Sequence, residues 1–187
     1  PPKPSKKKKE EKKKKEEKKI EKKVKEKVDP KDKLPPTKLN LEDFKRFIIN
    51  SKDKKADLKK FINEEFEREA WSIWHLKYDI YKDEGSKLHK TGNLCNGFIE
   101  RAEACRKGAF GIHCVIGEEP NLQIEGVWMW RGDDVMPEMK DHPTFEYYQA
   151  RKLNPDDEKD YKIIEDFWTK DIGDKMNGLT CQRKGHM

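Results

Sequence analysis

The pattern of apolar and polar residues is clearest between residues 92 and 132, where it predicts a helix followed by a β-hairpin. Apolar residues recur there at helical spacing, and Lys107 with Gly108 supplies the basic last turn and the glycine that end a helix. These apolar residues are Leu94, Phe98, Ala102 and Cys105. Alternation over residues 110–116 and 124–131 predicts two strands, joined by turn residues at 117–121. The second strand becomes apolar on both faces, so we expect it to lie inside a sheet.

Similar patterns on either side predict the remaining elements. Asn40 is a suitable cap for a first helix, and residues 53–68 have the spacing of a second helix. The first helix would bury Leu41, Phe44, Phe47 and Ile48. Residues 71–81 and 145–153 alternate as strands, and Asn154 with Pro155 starts a last helix that runs to about residue 170. This order of elements indicates an α+β fold in which helices flank an antiparallel sheet.

Charge is distributed unevenly along the 187 residues. Residues 1–38 hold 18 lysines and 8 acidic residues, whereas the remainder holds 25 basic and 29 acidic residues. We therefore predict a Lys/Glu-rich linker over residues 1–38, a single domain over residues 39–172 and a polar tail over residues 173–187. The chain starts at Pro1 rather than at a methionine, so we expect it to be a piece of a longer protein.

The linker has two interpretations. Blocks of lysine and glutamate, with many oppositely charged pairs four residues apart, are typical of a solvated segment that is disordered or partly helical. Alternatively, its lysines contact RNA or an acidic protein surface, although the interspersed glutamates would repel phosphates.

Residue patterns for catalysis or cofactor binding are absent from the sequence. It contains no GxxxxGK[ST] loop, no GxGxxG after a strand and no GxSxG elbow. The histidines do not cluster and the cysteines show no CxxC spacing, so we expect no metal site and buried free thiols in a reducing compartment. No apolar run reaches the roughly 20 residues of a membrane span, and no signal peptide is visible. We therefore predict a protein with no catalytic residues, no cofactor and no small-molecule substrate.

Aromatic and arginine residues on the predicted strands form the candidate interaction surface. We expect about two thirds of the aromatic residues to pack in the core, because a sheet face covered by helices requires large side chains. The alternative is an exposed groove of aromatic and arginine side chains that binds a peptide or single-stranded RNA. The candidate residues are Trp71, Trp74, Tyr78, Trp130, Arg131, Tyr147 and Arg151.

Several segments resemble the C-terminal domain of the gamma subunit of eukaryotic translation elongation factor 1. They are LEDFKRF (41–47), AWSIWHLKYDIY (70–81), GNLCNGFIERAEACRKGAFGIHCVI (92–116), IEGVWMWRG (124–132) and FEYYQARKLNP (145–155). The run GVWMWRG followed by YYQARKL is specific, and the preceding Lys-rich segment is similar to that family too. Beyond Asp171 the resemblance is poor.

The resemblance implies an antiparallel sheet flanked by helices and a cytoplasmic protein of the complex that reloads elongation factor 1-alpha with GTP. In that family the gamma subunit is chiefly structural, binds the beta subunit, and is thought to anchor the complex. The glutathione-transferase-like domain that contacts the beta subunit is not represented in this sequence. The expected function is therefore a non-catalytic scaffold, linked to the beta and alpha subunits through the larger complex. An alternative is a module that contacts RNA or the ribosome through the basic tail and the arginine–aromatic strands, with a tRNA synthetase as a further candidate partner.

Overall fold

The computed structural model describes residues 33–187. The linker prediction for residues 1–38 therefore falls almost wholly outside the described residues. The carbonyl oxygen of Pro35 accepts a hydrogen bond from Arg131 at 2.6 Å, and residues 35–187 form one compact unit.

Residues 33–187 contain five α-helices. They are α1 (Leu41–Asn50), α2 (Lys54–Lys60), α3 (Leu88–Arg101), α4 (Pro137–Lys140) and α5 (Glu158–Thr169). Side-chain caps start three of them, because Asn40, Asp53 and Asp157 each accept a hydrogen bond from a backbone N–H of the first turn. A wider, π-type turn, Phe61–Glu65, extends α2. Within this described range, no helix combines the length and apolar character that crossing a bilayer requires.

The same residues form a six-stranded sheet in which every neighbouring pair is antiparallel. Its strands are β1 (Trp71–Tyr78), β2 (Ala109–Ile116), β3 (Gln123–Arg131), β4 (Tyr148–Leu153), β5 (Lys175–Met176) and β6 (Leu179–His186). Their spatial order is β4-β1-β3-β2-β6-β5. The prediction that β3 lies inside the sheet is confirmed, since it pairs with both β1 and β2 and its seven central residues are buried.

Helices cover both faces of this sheet, so the protein has three layers and two cores. We call the face covered by α1, α2 and α5 the front and the face covered by α3 and α4 the back. Phe44 and Trp168 pack against Phe110 in the front core, and Phe61 packs against Phe44. Phe98 and Met139 pack in the back core, which also contains Trp128 and Trp130. The predicted α+β class with an antiparallel sheet flanked by helices is confirmed.

Several element boundaries differ from the sequence prediction. The last helix starts at Glu158 rather than after Asn154, because Asn154 instead forms a turn in which its side chain accepts from the N–H of Asp156. The predicted strand over residues 145–153 begins only at Tyr148, and a short 3-10 turn precedes it. Phe47 and Leu94 were expected in the core but are 41% and 39% exposed, because neighbouring residues take the inward positions on α1 and α3.

The largest difference concerns the C-terminal residues, which the sequence suggested to be a polar tail of uncertain order. Residues 175–186 instead form β5 and β6, and β6 pairs with β2 from Ile112 to Ile116. Met176 and Cys181 are buried in the front core, and the N–H of Met187 donates to the carbonyl oxygen of Gly111. The sequence pattern did not predict this strand because most residues of β6 are polar. They are polar because only part of the surface of β6 is covered.

Two glycines make space for the largest side chains of the back core. A Cβ atom on Gly111 would lie 2.2 Å from Cδ2 of Trp128, and one on Gly126 would lie 2.2 Å from Nδ1 of His113. Because these distances are far inside van der Waals contact, only glycine lets the Trp128 and His113 rings lie flat against β2 and β3.

Candidate functional site

The structure separates the seven predicted interaction residues between the two sheet faces. Trp71, Arg131 and Arg151 lie on the front, where they join residues that contact α1, α2 or α5. On the back lie Trp74, Tyr78 and Trp130. Tyr147 precedes β4 in the 3-10 turn. The seven therefore do not form one continuous groove.

On the front, Arg131 links the segment at Pro35 to the start of β1. Its guanidinium lies 5.5 Å from the centroid of the Trp71 ring and donates to the carbonyl oxygens of Ala70 at 2.8 Å and Pro35 at 2.6 Å. The Nε1–H of Trp71 donates to Thr37 Oγ1 at 2.7 Å, and Trp71 is buried. Trp71 and Arg131 thus form a structural clamp.

On the back, Trp130 is fully buried and stacks on Trp74, with ring centroids 5.6 Å apart. The indole N–H of Trp130 donates to the carbonyl oxygen of Asp134, and that of Trp74 donates to Ser72. Trp71 and Trp130 were predicted as surface residues. That prediction is wrong for these two, because Trp71 is buried in the front core and Trp130 in the back core.

Four of the remaining predicted residues differ in their exposure. Tyr147 is 51% exposed, and Arg151 is exposed but pairs with Asp160 at 2.8 Å. Tyr78 is half-buried, and its hydroxyl donates to Glu84 at 2.8 Å. Burial and the Glu84 carboxylate raise the pKa of Tyr78 to about 12. Tyr147, Arg151, Tyr78 and half-buried Trp74 stay predicted interaction residues, although they are not gathered in one place.

A buried polar cluster lies in the back core beneath α3. Trp128 Nε1 donates to His113 Nδ1 at 3.1 Å, so Nδ1 is unprotonated and Nε2 carries the hydrogen that faces the Tyr148 hydroxyl at 2.9 Å. The Phe98 ring stacks on His113 at 4.6 Å, and His142 lies on Phe98 at 4.2 Å. Burial, with the nearby His142 and His75, lowers the pKa of His113 to about 3. The geometry keeps His113 neutral and uses it as a structural hydrogen-bonding group.

The buried neutral His113 predicts a loss of stability in acid. Its pKa in the folded state lies below its ordinary value of about 6.5, so the unfolded chain binds the proton first. Stability should therefore fall as the pH drops from about 6.5 towards 3, by at most about 1.4 kcal/mol per pH unit for this residue. Urea unfolding at pH 6.0 and 5.0, where carboxylates of ordinary pKa are still mostly ionised, measures the slope.

The matched variant is His113→Asn, because the Asn side-chain oxygen can still accept from Trp128 while the residue no longer titrates. It should flatten the slope by about 1 kcal/mol per pH unit. A smaller slope should persist from His142, whose pKa burial also lowers. An unchanged slope in the variant would show that His113 already accepts a proton in the folded state.

An apolar pocket opens on the front at the end of β2 and β6, which we call the front pocket. Its volume is about 380 Å³. Buried residues form its floor, namely Ile48, Phe110, Ile112 and Trp168. The rim has an apolar part, formed by Ile49, which is 42% exposed, and Ile172, which is 61% exposed. Its polar part consists of Lys54, Lys184, Asp171 and His186. The floor comes from α1, β2 and α5, and the rim comes from α1, α2, β6 and the segment after α5.

Comparison with known proteins identifies the family. The family described as "Elongation factor 1 gamma, conserved domain" matches residues 25–134, more than half of the chain. The chain belongs to this family.

Three similar proteins illustrate the relationship. Elongation factor 1-gamma of Artemia salina is 34% identical over 158 residues, which are 83% of this chain and 36% of that protein. Elongation factor 1-gamma of Drosophila melanogaster is 33% identical over 143 residues, which are 75% of this chain and 32% of that protein. Elongation factor 1-gamma 2 of Saccharomyces cerevisiae is 35% identical over 149 residues, which are 80% of this chain and 36% of that protein. The chain thus spans about a third of the length of the relatives it matches.

Sequence reasoning about this elongation factor 1 gamma domain missed the front pocket. Its floor combines residues from α1, β2 and α5, which are far apart in the sequence. The only sequence feature that could have pointed to the pocket was Ile172, an isolated apolar residue just before a polar segment, and this is a weak signal. The polar role of His113 was also missed, because strand alternation indicates the face of a residue but not its hydrogen-bond partners.

Proposed function

We propose that this chain is a non-catalytic scaffold domain of the elongation factor 1 complex, acting in translation elongation in the cytoplasm. Membership of the elongation factor 1 gamma family is the observation that carries the proposal. In the proposed arrangement, the beta and alpha subunits are associated with this domain through the larger complex, and the domain anchors the complex to other components.

The chemistry of the buried polar groups supports a structural role. His113 is fully enclosed and bonded to Trp128 and Tyr148, and the Nε2 atom of His142 bonds to the carbonyl oxygen of Phe98 at 2.8 Å. All four cysteines lie in the described part of the chain as buried free thiols. Burial raises the pKa of Cys95 to about 12, so its thiolate is disfavoured as a nucleophile. These groups stabilise the fold rather than face a substrate.

The alternative, a module that contacts RNA, has less support from the side chains. Two of the three strand tryptophans proposed to stack on bases are buried, and Arg151 is already paired with Asp160. The net charge of residues 39–187 is also negative, with 25 basic against 29 acidic residues. RNA binding would therefore depend on the Lys-rich segment and weaken steeply with salt.

The non-catalytic part of the proposal predicts no nucleotide exchange. Release of labelled GDP from elongation factor 1-alpha should proceed at its intrinsic rate when the full chain is added in excess. Addition of the beta subunit is the positive control, and a heat-unfolded sample of the chain controls for non-specific effects of its lysines. A tenfold acceleration by the folded chain without the beta subunit would refute the proposal.

The scaffold part is tested by affinity capture with two baits, the full chain and a peptide of residues 1–38. Components retained by the folded domain should remain on the full chain at about 150 mM salt, where surface charges are screened beyond about 8 Å. They should be absent from the peptide bait. If both baits retain the same components, the Lys-rich segment rather than the domain is the binding element.

A further inference from the structure

We infer that the front pocket is a docking site for an acidic segment of a partner protein that inserts one large apolar side chain. The inference deepens the proposed scaffold role and rests on it, because a scaffold domain requires a surface that recognises a partner. The occupant is inferred from the shape, exposure and charge of the pocket.

The shape of the front pocket suits a single inserted side chain. Its volume of about 380 Å³ is at the small end of the roughly 300–1,000 Å³ usual for ligand sites. The floor consists of aromatic and aliphatic side chains in the well-packed front core, so it is pre-formed. A bulky apolar side chain that fills such a pocket is the usual energetic centre of a protein interface.

Apolar area also extends beyond the cavity itself. Ile49 and Ile172 stand on opposite elements, α1 and the segment after α5, and both expose a large part of their side chains. A small molecule within the cavity would contact these two residues only on the side that lines the pocket, whereas a peptide backbone crossing the rim would also cover their outer parts. The exposed isoleucines therefore favour a polypeptide over a small ligand.

The charges at the rim select an acidic segment. Lys184 Nζ lies 3.2 Å from Asp171 and donates to the carbonyl oxygen of Lys170 at 2.6 Å, so these two rim charges already compensate each other. Lys54 is half-buried and forms no ion pair with any residue of the described range. An acidic segment would supply the missing carboxylate, while a basic segment would meet a surplus of positive charge.

Nucleic acid fits this pocket less well than an acidic peptide. Trp168 is the ring on which a base would have to stack, but it is 2% exposed and packs against Phe110 at 5.3 Å. Its indole N–H is also used, since it donates to the carbonyl oxygen of Val127 at 3.1 Å. Base stacking requires an exposed ring face, which this tryptophan does not offer.

The test is an NMR titration of the full chain with acetyl-Asp-Glu-Phe-Asp-Glu-amide. We expect saturable shifts of the Ile49 and Ile172 methyl groups and the Trp168 indole. Two control peptides should each bind at least fivefold more weakly. Acetyl-Lys-Arg-Phe-Lys-Arg-amide keeps the phenylalanine but has positive charges in place of the carboxylates. Acetyl-Asp-Glu-Gly-Asp-Glu-amide keeps the carboxylates but lacks the apolar side chain.

Matched variants separate the pocket from the rest of the surface. Lys54→Glu should weaken binding of the acidic peptide about fivefold, whereas Lys159→Glu, also in the first turn of a front helix but exposed and outside the pocket lining, should not change it. Ile172→Ser should weaken binding of the acidic peptide at least threefold. Its control is Tyr81→Ser, which changes a residue that is 65% exposed and lies outside the front pocket, and this variant should bind the peptide normally. All four positions are at least partly exposed, so the variants should fold.

Four outcomes would overturn the inference. The first two are the absence of saturable shifts at millimolar peptide and equal affinities for the acidic and basic peptides. The third is that oligouridylate shifts the same three residues and binds more tightly than the acidic peptide. The fourth is that these residues shift when the protein is diluted without any probe. The last two would indicate nucleic acid or a second copy of the chain as the occupant. Because the titration needs no elongation factor subunit, its failure is distinct from failure of the exchange and capture tests.

Discussion

Replacement of Trp128 by alanine is expected to lower the free energy of unfolding by about 3–5 kcal/mol, the range for large-to-small changes of a buried aromatic residue. Trp128 is fully buried at the centre of β3, and its ring lies edge-on to Phe98 at 5.7 Å. The change would also remove the donor to His113 Nδ1, and a buried acceptor left without a donor costs roughly 1–3 kcal/mol. Since domains of this kind are stable by only about 5–15 kcal/mol, the variant should be close to unfolding.

Urea denaturation followed by circular dichroism measures this change. The matched control is Tyr147→Ala, which removes an aromatic ring that is 51% exposed and should change stability by about 0.5 kcal/mol or less. A loss below about 1 kcal/mol for Trp128→Ala would mean that the back core relaxes into the space left by the indole.

Deletion of residues 173–187 is expected to abolish cooperative folding. The deletion removes β6, the neighbour of β2, together with the buried side chains of Met176, Cys181 and Met187. Burial of a large apolar side chain contributes roughly 1.5–3 kcal/mol, so the two methionines alone account for a large part of the stability of a small domain. The front core would then be open beside Ile112 and Cys114.

The control for this truncation is removal of an equal number of residues from the other end. Residues 1–15 contain lysine, glutamate, proline and one serine, and thus bring no large apolar side chain to a core. Thermal melting by circular dichroism should show one sharp transition for the chain lacking residues 1–15 and none for the chain ending at Ile172. A sharp transition in both would mean that β6 is only an accessory strand.

Much of the fold could be predicted from short-range patterns in the sequence. Alternation identified β2 and β3, helical spacing identified α1 and α3, and Asn40 was recognised as a helix cap. These elements are predictable because the two-residue repeat of a strand and the 3.6-residue repeat of a helix each place apolar residues on one face. The candidate surface was predicted less well, since Trp71 and Trp130 are buried.

The C-terminal strand shows why pattern alone was insufficient there. The residues of β6 are mostly polar, and only Cys181 among them is buried. A strand with one buried side chain has little alternation, and its stability comes from backbone hydrogen bonds with β2 and from the neighbours it covers. Those neighbours lie about seventy residues earlier in the chain.

By itself, the sequence determined most of the elements before residue 173, the α+β class and the family, because local periodicity, caps and the segments around GVWMWRG are properties of neighbouring residues. Only the tertiary structure decided which aromatic residues are covered, which strands meet, and where apolar area stays open to solvent. Trp130 and Tyr147 illustrate this, since both are aromatic residues close to strand ends, yet one is fully buried and the other is half exposed. The difference arises from helices and turns packed over one ring and not the other, and such packing depends on contacts between residues distant in the chain.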